Sequence, residues 1–179
     1  DTFPVGCAWS EKVVLPEDFA GNADAGVERL QTRCGISEEG CGLENVLMPV
    51  GTQFLEVVAP TREGTAAGRY LDRRGGDGGY MVICQATDRE TQDAAKTRAA
   101  ERDLRVAFHE ERGDWNIMQL HPRDLQAAFF EVESDAHNDF HGHWHPVGGT
   151  GWEDQVKQDV TVDFLGVELQ SPDPAGLAE

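Results

Sequence analysis

Basic residues are scarce in this chain. Lysine and arginine together supply 15 of its 179 residues, against 33 aspartates and glutamates, and the formal net charge at pH 7 is −18. A surface this acidic repels both the phosphate backbone of nucleic acids and anionic lipid head groups. We therefore expect neither a nucleic acid nor a membrane as a partner.

Long apolar runs are lacking as well. No stretch approaches the roughly 18 apolar residues that a membrane-spanning helix needs, and the mean hydropathy is −0.48. The length fits about one domain. The chain also lacks a signal-like N-terminal stretch, so we expect a cytoplasmic protein with reduced thiols.

Cysteines are few, and none has the CxxC spacing of a zinc ribbon. Cys34 and Cys41 flank a glycine-containing loop and could be bridged in an oxidising compartment. Cys84 lies in an apolar strand pattern and is predicted to be a small buried hydrophobe. The sequence also lacks a nucleophile elbow, an HExxH motif, a Walker motif and a dinucleotide fingerprint.

What the chain does contain is a repeat. Each half reads as a strand, a helix and two or three antiparallel strands, over residues 9–60 and again over 79–133. The second helix, over 89–102, is rich in alanine and can lie close against a sheet, and Thr87 with Glu90 predicts a capping box at its start. A short helix and a glycine-rich linker, GTAAGRYLDRRGGDGG, join the two halves.

Each half contains a similar hairpin with a glutamate in an otherwise apolar strand. The hairpins cover residues 47–57 and 120–132, and Glu56 aligns with Glu131. A buried carboxylate costs stability unless something pairs with it. Its recurrence at the same place in two repeats therefore indicates a functional site.

The sequence resembles the vicinal oxygen chelate superfamily, which includes glyoxalase I, methylmalonyl-CoA epimerase, extradiol dioxygenases and bleomycin-resistance proteins. FLEVVAPTREGTAAGRYLDRRGGDGGYMVICQATD is similar to the inter-module segment of this family, and LHPRD followed by FFEVE is similar to its last hairpin. The glyoxalase-like and epimerase-like members are the most similar. The resemblance implies an α+β fold in which paired βαβββ modules form a U-shaped sheet around a cleft.

The repeat and the resemblance together divide the chain into three parts. The first module with its linker occupies residues 1–78, the second module 79–135, and a His-rich tail with the start of a third repeat 136–179. In that tail, FLGVELQSPDPA over 164–175 predicts a strand followed by a helix N-terminus.

The resemblance also implies one divalent metal (iron, manganese, cobalt, nickel or zinc) with a ligand from the first and last strand of each module. These positions are Glu11, Glu56, Met81 and Glu131 in this sequence. A thioether suits these metals poorly, so Met81 leaves a metal-free site open. The resemblance places Glu44 near the carboxylate that acts as a base, which makes Glu44 and Glu131 the candidate catalytic residues.

The tail carries histidines that the resemblance does not explain. His141, His143 and His145 alternate, so on a strand they would point to one side and could grip a metal, separately or as a supplement to the module ligands. Alternatively, the segment is a polar, aromatic surface stretch that folds back over the second module with Trp144 as its anchor.

Three functions remain open at this stage. The first is a metal-dependent isomerase, epimerase or lyase that moves a proton on a small carbonyl or carboxylate compound. The second is a metal-free protein of the same fold that sequesters a small molecule. The third is an extradiol-type dioxygenase. The resemblance further implies a small-molecule substrate or ligand and a homodimer.

Overall fold

A computed structural model describes residues 7–11, 42–137, 143–144 and 149–178, with the backbone alone at 7–11, 44, 46 and 178. The chain divides into two compact units, one built around residues 8–80 and 140–164 and the other around 81–139 and 165–179. The predicted first helix and the Cys34–Cys41 pair lie outside the described residues.

The first unit contains a hairpin and a strand beside it. Strand β2 (Leu43–Val50) runs antiparallel to β3 (Gln53–Pro60), and β1 (Cys7–Glu11) lies parallel to β3. The turn between β2 and β3 contains Gly51 at φ +61°, a backbone conformation that favours glycine. The register places Leu47 opposite Glu56.

The predicted linker helix is confirmed as α1 (Ala66–Arg74). Thr65 begins it, because its hydroxyl accepts a hydrogen bond from the Gly68 amide, and Gly75 ends it in the left-handed conformation.

Residues 79–135 form a βαβββ module. It consists of β4 (Gly79–Gln85), α2 (Arg89–Glu101), β5 (Val106–Arg112), β6 (Trp115–Leu120), a one-turn helix α3 (Pro122–Leu125) and β7 (Phe129–Asp135). Strand β4 pairs in parallel with β7, and β7, β6 and β5 pair antiparallel in that order. The α+β class expected from the sequence is confirmed.

The start of α2 differs from the predicted capping box. Asp88, not Thr87, is the N-cap, and its carboxylate accepts a hydrogen bond from the Thr91 amide at 2.7 Å. Asp88 can cap the helix because its extended backbone directs the side chain to the free amides of the first turn.

Helix α2 covers one face of the strands β4 to β7. The core there centres on Ala99, Met118 and Leu120, with Phe130 and Val132 packed against it. The opposite face of the same strands carries Gln119, Glu131 and Glu133, because alternate residues of a strand point to opposite faces.

The tail is anchored on the first hairpin. Trp144 stacks on Phe54 of β3 with 4.4 Å between ring centroids, and Trp152 meets the same ring edge-on at 4.8 Å. Trp152 begins a short 3₁₀ helix (Trp152–Gln155). The Phe164 amide also donates to the Gln53 side chain at 3.0 Å. Trp144 is therefore an anchor, but on the first hairpin and not on the second module.

The predicted third strand is wrong. Residues 156–173 have no regular secondary structure, and only the following helix, α4 (Pro174–Ala178), forms. Val160 and Leu165 are almost fully exposed there. A strand pattern needs a partner edge to supply its hydrogen bonds, and this segment pairs with none of the described strands.

None of the helices in the described ranges is long and apolar enough to cross a membrane.

Candidate carboxylate site

The two glutamates that interrupt the hairpins each meet a carboxamide from the neighbouring strand. The Asn45 Nδ2 of β2 donates to Glu56 Oε1 at 2.6 Å, and the Gln119 Nε2 of β6 donates to Glu131 Oε2 at 2.6 Å. Both glutamates lie on the last strand of their hairpin, and both donors lie on the strand before it. The donors are not at repeated positions, since Asn45 lies opposite Val58 and so diagonal to Glu56, whereas Gln119 lies directly opposite Glu131.

Glu56 lies on the face of β3 that the tail covers. Phe54 is two residues before it and therefore shares its face, and Trp144 and Trp152 pack on Phe54. Burial raises the pKa of Glu56, and the hydrogen bond from Asn45 only partly opposes that effect. The residue as a whole is half-buried.

Glu131 is more deeply buried, at 5% exposure. It lies opposite Gln119 on β6 and level with Ile83 on β4. Met81 is two residues before Ile83, so Met81, Gln119 and Glu131 share one face of the strands β4, β6 and β7. The structure thus places the thioether on the same face as the carboxylate.

Two further buried carboxylates continue the row on β7. Glu133 is 1% exposed and accepts a hydrogen bond from the Trp115 Nε1 at 2.7 Å. Asp135 is 2% exposed and accepts one from the His137 amide at 2.9 Å. Neither residue was predicted as part of the site, although an acidic residue at every second position of EVESD indicates one acidic face of the strand.

The two amide donors were also missed. Asn45 in LENVLMPV and Gln119 in WNIMQL are polar residues in apolar strands, just as the glutamates are. That shared pattern is the signal that could have identified them, but pairing donor with acceptor requires the strand register.

Several predicted site residues cannot be placed at the level of side chains. The structure describes only the backbone of Glu11 and Glu44. His141 and His145 lie outside the described residues. The backbone of Glu44 pairs with Ala59. The third histidine of the tail, His143, is half-buried and directly precedes Trp144.

Sequence comparison finds a second likeness at the N-terminal end. Residues 1–68 match the family described as "MIOX: Myo-inositol oxygenase". Inositol oxygenase 5 of Arabidopsis thaliana is 53% identical over 51 residues, which is 28% of this chain and 16% of that protein. A probable inositol oxygenase of Oryza sativa subsp. japonica is 37% identical over 99 residues, 50% of this chain and 32% of that protein. The matches thus span no more than about a third of these relatives.

Comparison of structures finds methylmalonyl-CoA epimerases. One, solved with methylmalonyl-CoA and NH4+, has a TM-score of 0.58 and 22% identity, and the likeness covers 77% of this chain and 99% of that one. The epimerase of Mycobacterium tuberculosis has a TM-score of 0.56 and 21% identity, covering 76% and 92%. At this identity the likeness is one of fold. The chain has the fold of the vicinal oxygen chelate superfamily.

Proposed function

We propose that this chain is a proton-transfer enzyme of the glyoxalase and epimerase type, acting on a small carbonyl or carboxylate compound. The observation that carries the proposal is the pair of glutamates Glu56 and Glu131, one in each repeat, each of which accepts a hydrogen bond from a side-chain amide of the neighbouring strand. A strand gains nothing in stability from a buried carboxylate that an apolar residue would not supply. Two such carboxylates at repeated positions therefore favour a functional role.

The carboxylates fit a hard divalent metal, which this fold family commonly holds. Glu56 and Glu131 each direct one oxygen to an amide donor, an arrangement typical of metal ligands fixed by a second group. Met81 does not fit such a metal. The proposed ligands are those that the resemblance implies, Glu11, Glu56 and Glu131, and His143 of the tail is a further candidate.

When bound, the metal would polarise a substrate oxygen and make the neighbouring carbon acid easier to deprotonate. The chain's own residues would orient the carboxyl groups and take the proton. Asn45 and Gln119 orient the carboxyl groups, and Glu44 is the proposed base that takes the proton. Glu131 is the second proposed catalytic group.

Metal analysis and hydrogen exchange test this proposal together. Protein purified without chelators is expected to hold about one equivalent of divalent metal by elemental mass spectrometry. It should also exchange the acidic hydrogen of methylmalonyl-CoA, or of another α-carbonyl acid in a panel, for solvent deuterium. Glu131→Gln should lower metal occupancy about tenfold or more and abolish exchange, because it removes a charged ligand but keeps the side-chain shape.

Glu63→Gln is the matched control, since Glu63 is exposed in the loop after β3. It should leave both readings unchanged. Wild-type protein that stays metal-free after incubation with iron, manganese, cobalt, nickel and zinc, and that exchanges no hydrogen, would overturn the proposal.

Two alternatives each have one observation in their favour. Met81 at a ligand position favours a metal-free protein that binds a small molecule. Saturable ligand binding without metal or turnover would support it. The match of residues 1–68 to inositol oxygenases favours an oxygenase, and oxygen uptake dependent on myo-inositol would support that alternative.

A further inference from the structure

The second unit contains a cavity that the carboxylate site does not use. It lies between α2 and the sheet and has a volume of about 320 Å³. On the helix side it is lined by Ala95 and Ala99. On the sheet side it is lined by apolar residues of β6 and β7, namely Met118, Leu120, Phe130 and Val132. Glu131 lies between Phe130 and Val132 and so points to the opposite face, which separates this cavity from the carboxylate site.

The cavity has a structural cause. Gln92, 2% exposed, is wedged under the first half of α2, where its Nε2 donates to the backbone carbonyls of Asn116 and Val132 at 3.0 and 2.9 Å. The Ser134 hydroxyl donates to its Oε1 at 2.8 Å. This polar spacer fixes the height of the helix above the sheet. The alanines that follow are too short to fill the space.

Two arginines border the same cavity. Arg98 and Arg102 are one turn apart at the end of α2, and the Arg102 Nη1 reaches the Arg98 carbonyl at 3.5 Å. Both side chains are exposed. Because both arginines line the apolar cavity, an anion is favoured at this edge of it, although the net charge of the chain is −18.

We propose that this cavity binds a medium-chain carboxylate, with the alkyl chain against Met118, Leu120 and Phe130 and the carboxylate at Arg98 and Arg102. The volume lies at the lower end of the ~300–1,000 Å³ typical of small-molecule sites, which favours a short chain over a long one. A cationic amphiphile is disfavoured by the two arginines, and a neutral one lacks the ion pair.

Calorimetric titration of the full chain with octanoate and with 1-octanol tests the assignment. The two probes share the alkyl chain and differ in charge. Octanoate is expected to bind saturably and about tenfold more tightly than octanol, because guanidinium–carboxylate hydrogen bonds are charge-assisted. Equal affinities, or no saturable binding of either probe, would overturn the proposal.

Two variants locate the binding. Arg98→Gln combined with Arg102→Gln should abolish the difference between octanoate and octanol while octanol still binds. Ala95→Leu fills the cavity and should weaken both probes about tenfold or more without lowering Tm. Lys96→Gln, which removes an exposed charge from the same helix, is the matched control and should change neither probe.

Cys84 gives a readout that does not depend on any variant. It lines the cavity and is not disulfide-bonded. Octanoate should slow alkylation of the Cys84 peptide, followed by mass spectrometry, at the concentrations that saturate the calorimetric signal. Binding with unchanged Cys84 labelling and unchanged affinity in Ala95→Leu would place the ligand elsewhere and refute the assignment.

Discussion

At the scale of single residues, the chemistry of the site depends on what meets each carboxylate. Asn45 stabilises the carboxyl group of Glu56 with one N–H, but an amide brings no positive charge. Burial therefore dominates and raises the pKa of Glu56. A cation bound at this position would reverse that balance, because an opposite charge favours the ionised form. Glu56 is thus suited to release a proton when a metal binds.

This leads to a prediction for Glu56→Gln in chelator-treated protein. A raised pKa means that the native state holds its proton more tightly than the unfolded chain does, so stability falls as the pH rises from the ordinary value of 4.5 through the native pKa. Glutamine keeps the hydrogen bond to Asn45 and removes that penalty. The variant should match wild type near pH 4 and exceed its Tm by roughly 2–4 °C at pH 8.

Thermal unfolding across this pH range, with Glu63→Gln as the exposed control, measures the effect. Adding the metal identified by elemental analysis should raise the Tm of wild type and not of Glu56→Gln. A variant that is less stable than wild type at every pH would identify Glu56 as a purely structural partner of Asn45.

Sequence reasoning identified the acceptors of this site but not their donors. Glu56 and Glu131 stand out because a carboxylate in an apolar strand is costly wherever it occurs. Asn45 and Gln119 are uncharged, and from the sequence each could equally well face solvent. Only the register, which places Gln119 opposite Glu131, shows that they meet.

At the scale of elements, the start of helix α2 shows how backbone geometry determines which of two candidate residues is the N-cap. Thr87 and Asp88 are both good N-cap residues. The carboxylate of Asp88 reaches the Thr91 amide, whereas the Thr87 hydroxyl contacts the Thr91 hydroxyl at 3.0 Å. The sequence offers both candidates, and the backbone conformation selects Asp88.

The prediction at this scale compares the two candidates. Asp88→Ala should lower Tm by several degrees, Thr87→Ala by much less, and Asp88→Asn should restore most of the loss, because asparagine caps almost as well. Hydrogen bonding to the Thr91 amide lowers the pKa of Asp88. Its contribution is therefore present above the ordinary pKa of 3.8 and is lost as the pH falls through the native value. Thermal melts at pH 7 and pH 2.5 test both statements, and a larger loss in Thr87→Ala would contradict the assignment.

The strands that were predicted correctly differ from the one that was predicted wrongly in whether their hydrogen-bond partners are close in sequence. The hairpins β2–β3 and β6–β7 are local, so alternation and turn residues suffice to predict them. The pattern at 164–170 also alternates, but Leu165 lies fully exposed and no described strand offers it an edge. A strand is defined by its partner, and that information is not local.

At the scale of the whole molecule, residues that are far apart in sequence pack together in the first unit. The β2–β3 hairpin falls within residues 1–68, the segment that matches inositol oxygenases, yet its carboxylate accepts a hydrogen bond from a neighbouring-strand amide, as the carboxylate of the second hairpin does. Its covering residues come from the tail, where Trp144 and Trp152 pack on Phe54. The first site carboxylate therefore depends on a segment about 90 residues further along the chain.

Trp152→Ala tests that dependence. Trp152 is 3% exposed, and truncating a buried tryptophan costs about 3–5 kcal/mol. The variant should lower Tm and speed amide hydrogen exchange in residues 43–60, while exchange in 106–120 of the other unit changes little. Val160→Ala is the matched control, because Val160 belongs to the same tail and is 94% exposed.

Loss of the Trp152 side chain should also increase the solvent exposure of Glu56 and move its pKa back toward the ordinary value. Equal acceleration in both ranges would mean that Trp152 supports global stability alone, and the tail would then have no specific part in forming the site.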